Sequence, residues 1–160
     1  MMPGFVTLAL TLLAASGGQE TPTQETAPPA PVEASSGPEW RRFSETPTST
    51  YLLDMASIRN ADGGAMIRIA RVSKRLEAGD YSHVVDQFGV RCAAGETRVE
   101  ASSEVGPDGE TADSFVADEP WAAAARGSFD AAVKEVACGE MEPNQAPFSS
   151  VRAWIDAGRP

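Results

Sequence analysis

Between residues 40 and 116, apolar positions alternate with polar ones rather than recurring every third or fourth place, and clusters of Gly, Asp, Asn and Pro interrupt the alternation. A period of two is the repeat of a half-buried strand, so this region reads as antiparallel strands joined by turns. Strands are expected at 40–44, 50–58, 65–74, 81–92, 97–105 and 111–117, with breaks at 60–64, 77–80, 93–95 and 106–109. Asp62-Gly63 and Asp108-Gly109 suit tight hairpins, which need positive φ. In the fourth strand Val84, Asp86, Phe88, Val90 and Cys92 share one face, and His83, Val85, Gln87, Gly89 and Arg91 the other. In the fifth, Thr97, Val99, Ala101, Ser103 and Val105 are expected inside, against Arg98, Glu100, Ser102 and Glu104 outside, which implies one solvated sheet face.

After Trp121 the period changes. Residues 128–139 read as a helix: Ser128 caps the free N–H groups, Asp130 lies near the positive end, and Gly139 suits a left-handed stop. Phe129, Val133 and Val136 form an apolar stripe suited to crossing a sheet. At about 100° per residue, Cys138 points away from Phe129 on an ideal helix, so for Cys138 to meet Cys92 the last turn must loosen or the helix must end early. Residues 149–158 suggest a second short helix with Val151, Trp154 and Ile155 on its apolar side, packing back on the domain or presented to a partner or membrane. The fold class is therefore α+β: an antiparallel sheet of about six strands, a C-terminal helix disulfide-linked to it, and a short tail helix.

The N-terminus carries an apolar run at 5–15 and small residues at 14–18, the order of a secretory signal, though the n-region lacks Lys and Arg. A signal peptide over 1–18 is expected, cleaved within 15–19; the alternative is a buried apolar helix. Leu13-Ala14-Ala15-Ser16 resembles a lipobox in which Ser replaces the Cys that would carry the lipid. Residues 19–38 are Pro-rich, with no basic residue and little apolar surface to bury, and are expected to form a disordered linker. That leaves a domain at 39–139 and a tail at 140–160, enough for one core, with no integral membrane span after signal cleavage.

The chain holds 23 acids against 13 bases, for a net charge of −10. This argues against general binding to nucleic acid or anionic lipid, which need a positive footprint. Cys92 and Cys138 are the only cysteines. Behind a secretion signal they read as one disulfide, closing a loop of about 45 residues and placing the domain in an oxidising compartment, periplasmic, secreted or at the cell surface. Redox chemistry favours Cys-x-x-Cys, and a zinc site needs further ligands; the sequence offers neither, and no cofactor is expected. His83, the only histidine, reads as structural. Arg59, Arg68, Arg71, Lys74 and Arg75 cluster about the third strand. They are either solvated edge charges or a binding patch for an anion or anionic glycan. No phosphate loop, nucleophile elbow or dinucleotide fingerprint is present. A non-enzymatic role is expected, the enzymatic alternative being a cleft using Asp54, His83 or Tyr81.

Trp40, Tyr51-Leu-Leu-Asp54, Ser57-Ile-Arg59, a strand ending in Cys92, and Trp121 followed by Ser128 and Val136-Ala-Cys138 together resemble the surface-adhesin protein E family of exported bacterial domains. The resemblance covers residues 40–138. It implies a curved sheet holding the terminal helix on its concave side, exposure at the cell envelope, and adhesion to an unidentified partner protein or envelope component. The chain departs from the family in lacking the lipobox Cys and in its tail after Gly139. The alternative role is a periplasmic structural or accessory envelope protein without a host ligand, making its contacts through the linker and the Trp154 segment.

Overall fold

The computed structural model describes residues 37–160; the expected signal peptide and all but the end of the linker lie outside them. Seven strands and two helices follow in order: β1 (Trp40–Glu45), β2 (Ser49–Ala61), β3 (Gly64–Ser73), β4 (His83–Arg91), β5 (Glu96–Val105), β6 (Thr111–Val116), β7 (Ala122–Ala123), α1 (Phe129–Ala137) and α2 (Val151–Asp156). The first six strands form an open antiparallel meander in sequence order, and the short β7 pairs with β5 beyond the end of β6. Asp62 and Gly63 turn β2 into β3 with φ of 49° and 78°, the positive pair a tight hairpin requires. The fourth strand starts at His83 rather than 81 because a local turn takes the preceding backbone. The Ser82 N–H donates to Asp80 Oδ1 (2.8 Å), and the Tyr81 N–H to the Pro107 carbonyl (3.1 Å).

The sheet carries a helix on each face. Leu53, Ile67, Ile69, Phe88 and Val90 receive Val133, Val136 and Ala137 of α1. On the opposite face Leu52, Ala70, Val72 and Trp40 receive Val151, Trp154 and Ile155 of α2. The adjacent pairs Leu52/Leu53 and Ile69/Ala70 thus serve opposite cores, as alternation along a strand demands. The expectation of one solvated face is corrected: α2 covers part of it, and Trp154, only 2 % exposed, fills the space. The tail lies in the same compact unit as the sheet. It also meets the β1 edge at its first residue, where Trp40 and Phe148 exchange backbone hydrogen bonds of 2.9 and 2.8 Å.

The inside–outside assignment of β5 holds only for its first half. Gln87 pairs with Ala101 but Phe88 with Val99, so Glu100 is an extra residue. A bulge of this kind reverses every side chain beyond it. Thr97 and Val99 face α1, whereas beyond the bulge Ser102 takes that face, is buried, and donates to Asp86 Oδ1 (2.5 Å). Ala101, Ser103 and Val105 turn to the α2 face.

Helix α1 begins as its sequence indicates, with Ser128 Oγ accepting from the Ala131 N–H (3.1 Å). Phe129 anchors it against Tyr51, Phe43 and Phe88, with ring centroids 4.8, 5.9 and 6.3 Å away. The helix ends at Ala137. Cys138 takes the C-cap with φ −89° and ψ 2°, and Gly139 follows at φ +75°. Ending there lets a residue that an ideal helix would turn away reach the sheet: Cys138 is disulfide-bonded to Cys92, with Cα atoms 5.8 Å apart.

Candidate functional site

Helix α2 covers only one end of its face. The other end lies between Arg68 and Trp121 and is shaped by an irregularity in β2. The β2–β3 register passes from Asp54 opposite Arg68 to Arg59 opposite Met66, leaving Met55 to Ile58 against Ile67 alone. Ser57 bridges this gap: its hydroxyl donates to the Asp54 carbonyl (2.6 Å) and accepts from the Arg68 N–H (2.8 Å). The bulge projects Arg59, whose Nη1 donates to the carbonyls of Ala56 (2.7 Å) and Ile58 (2.9 Å) and is stiffened by them.

Beside the bulge, the carboxylate of Asp54 is wholly buried. It accepts from the Glu39 N–H (2.9 Å) and forms an ion pair with Arg68. A buried carboxylate is tolerated only with such partners. The half-exposed Arg68 guanidinium also lies 5.7 Å from the Trp40 ring centroid, tying β1, β2 and β3 together under a single cation.

Two adjoining concavities result. One, of about 400 Å³, is lined by residues including Ser57, Arg59, Arg68 and Gln87; the other, of about 490 Å³, by residues including Arg59, Gly89, Arg91 and Trp121. They meet at Arg59 and Met66, forming one shallow groove. Gly89 makes room for its far wall: a Cβ there would lie 3.1 Å from the Trp121 ring and 2.5 Å from Glu100 Oε1. The guanidinium carbons of Arg91 and Arg98 sit 4.0 and 4.5 Å from the Trp121 ring centroid. Glu96 and Glu100 pair with those two arginines at 3.1 and 2.8 Å. The groove thus has a largely apolar lining with an indole wall and guanidinium rims. Arg68, Arg91 and Arg98 each pair with a carboxylate, which among the described residues leaves Arg59 as the cation offered to an anionic or planar polar group.

The basic residues singled out in the sequence separate. Arg59 and Arg68 line the groove. Arg71, an odd number of positions from Arg68, lies on the α1 face opposite Tyr51. Lys74, just beyond β3, pairs with Glu45 (3.0 Å), and the exposed Arg75 occupies the turn that follows. The sequence reading missed Arg91 and Arg98 as partners of Trp121. The available signal was Gly89, a glycine inside a strand and so a mark of close approach by another group.

The residues of the enzymatic alternative are engaged elsewhere. Asp54 holds Glu39 and Arg68, and the Tyr81 hydroxyl donates to Asp156 Oδ1 (2.8 Å). His83 Nδ1 lies 2.7 Å from the Tyr81 carbonyl, which can only accept, so the hydrogen sits on Nδ1. Burial pushes the His83 pKa below its ordinary value, with the bond to the Tyr81 carbonyl opposing. Among the described residues, no helix is long and apolar enough to cross a membrane. No family model matches this chain, and no match was found among curated proteins or solved structures.

Proposed function

We propose that the chain is an exported bacterial cell-envelope protein of the surface-adhesin protein E type, a non-catalytic binding domain that engages its partner at the groove between Arg68 and Trp121. The Cys92–Cys138 bond fits an oxidising compartment, where a domain of this size gains most from a covalent staple. The observation that carries the binding role is the groove itself, in which Arg59 is held on two carbonyls while Trp121 stands beside Arg91 and Arg98. Such a surface recognises a carboxylate or similar anion on its partner, within a chain whose net charge would otherwise repel one.

Protease and antibody accessibility of the domain on intact cells, against cells with an opened outer membrane, tests the location. Retention of Arg59→Glu and Trp121→Ala variants in the envelope fraction tests the site. Surface accessibility with retention lost in both variants is expected. Protection until the membrane is opened would instead favour the periplasmic accessory role, and unchanged retention of folded variants would remove the groove from the account.

A further inference from the structure

The two edges of the sheet are treated differently. The β1 edge is met at Trp40 by the bridge to Phe148, whereas β6 pairs with β5 on one side and with no described segment on the other. Every residue of β6 is exposed. The Ala117 N–H donates inward to the Glu100 carbonyl (3.0 Å), so by alternation the backbone groups of Ser114 and Val116 point outward. Natural sheets blunt such an edge with lysine, proline, a covering element or an inward-pointing charge. β6 has no lysine or proline, and its one blunting contact is Asp113, whose Oδ1 accepts from the outward Ser114 N–H (2.8 Å). Phe115 and Val116, 49 % and 85 % exposed, project to opposite faces and would flank an added strand above and below.

The charge around this edge selects the occupant. From Gly106 to Trp121 the sequence carries Asp108, Glu110, Asp113, Asp118 and Glu119, with no Lys or Arg. The base that approaches is Arg152, and it is held at the far turn on the Asp108 carbonyl and 3.8 Å from the Tyr81 ring centroid. Two copies of such an acidic edge repel each other, which disfavours pairing of β6 with itself.

We infer that β6 is a docking edge for an extended, lysine- or arginine-bearing segment of another protein, added as a further strand. Backbone bonds at the Ser114 carbonyl and at Val116 supply the attachment, Phe115 and Val116 supply apolar contacts for alternate side chains, and the acidic rim selects a basic partner. The site is separate from the groove and does not depend on it.

The test uses the full, disulfide-bonded chain and a synthetic peptide of about eight residues alternating Lys and Val, a typical strand length, with a neutral Ser–Val peptide as the control. Binding is followed by fluorescence anisotropy and by amide hydrogen exchange. The Lys–Val peptide is expected to bind at least about tenfold more tightly than the Ser–Val peptide, to weaken as salt is raised, and to protect the Val116 amide. Val116→Pro removes the free outward donor and should abolish binding of the Lys–Val peptide. If this variant does not fold, Asp118→Lys, which reverses a charge beside the edge without touching the Ser114 N–H, should lower the affinity for the Lys–Val peptide several-fold. No binding, equal binding of the two peptides, or protection elsewhere would overturn the proposal. Concentration-dependent self-association that protects the same amide would assign the edge to a second copy and overturn it equally.

Discussion

Replacing both cysteines, as Cys92→Ser with Cys138→Ser, isolates what the covalent bond contributes. The bond joins residues 46 apart in sequence. Closing a loop of that length removes about 13–14 cal/mol/K from the unfolded ensemble, or about 4 kcal/mol at room temperature. The native side of the balance changes little. Val133 and Val136 remain buried against Phe88 and Val90, the Ser128 cap is intact, and Cys138 already lies at the helix end, where a serine is accepted. Double replacement is preferred to a single one because it leaves no free thiol.

With an entropy of unfolding near 0.25 kcal/mol/K for a domain of about 120 residues, a loss of about 4 kcal/mol lowers the melting temperature by about 15 °C. Circular dichroism melts of the oxidised protein and the variant measure this, with thiol titration in denaturant expected to find no free thiol in the oxidised protein. Hydrogen exchange of α1 under native conditions should change only as far as global stability does. A drop under about 5 °C with the bond verified would refute the reasoning. It would mean either that the unfolded chain is already held compact between residues 92 and 138, or that the bond strains the native state.

Trp154→Ala should cost about 3–5 kcal/mol, since the indole is buried between α2 and the sheet, and chemical denaturation would read this as a lower midpoint. Asp54→Ala strands the Glu39 N–H and leaves Arg68 without its carboxylate. Because Arg68 is half-exposed and can rehydrate, a loss near 3 kcal/mol is expected, and Arg68→Met in the same background should add little. His83 has a folded pKa below its unfolded value of about 6.5. Its contribution is therefore fully present above that value and is lost as the pH falls toward the folded pKa. It is the only histidine, so melting temperatures taken between about pH 7.5 and 5.5 should decline in the parent and flatten in His83→Gln; parallel curves would refute the assignment.

Much of the fold was legible because alternation and turn chemistry agree along the meander. Asp62-Gly63 lies where β2 turns, Ser128 caps α1, and the apolar face of the tail helix is the face that packs. What escaped the pattern are the places where the count of residues between paired strands changes. A bulge at Glu100 reverses the second half of β5, and no local property of Ala101 or Ser102 announces it. The burial of Ser102 depends on Asp86 in the neighbouring strand, a partner distant in sequence. The candidate site was half legible for the same reason. Arg59 and Arg68 could be picked out by proximity in the chain, whereas Arg91 and Arg98 meet Trp121 only once β4 and β5 are aligned.

The irregularities that defeat the period also build the surface. Without the insertion at Met55 to Ile58, Arg59 would not stand opposite Met66, and Ser57 would have no gap to bridge. The extra residue Glu100 lies beside Gly89 and Arg98, where its carboxylate and the Trp121 ring share the space a side chain at 89 would take. A regular six-stranded meander would present a flat face there, partly covered by α2 and otherwise featureless. Both of these bulges shape the end of that face which α2 leaves uncovered. Charge divides similarly, with arginines gathered along the groove and acids along β6. The groove and the β6 edge should therefore respond oppositely to a change in a partner's charge. Salt would weaken both, but a Glu-bearing probe would distinguish them, because it meets guanidinium groups at one and carboxylates at the other.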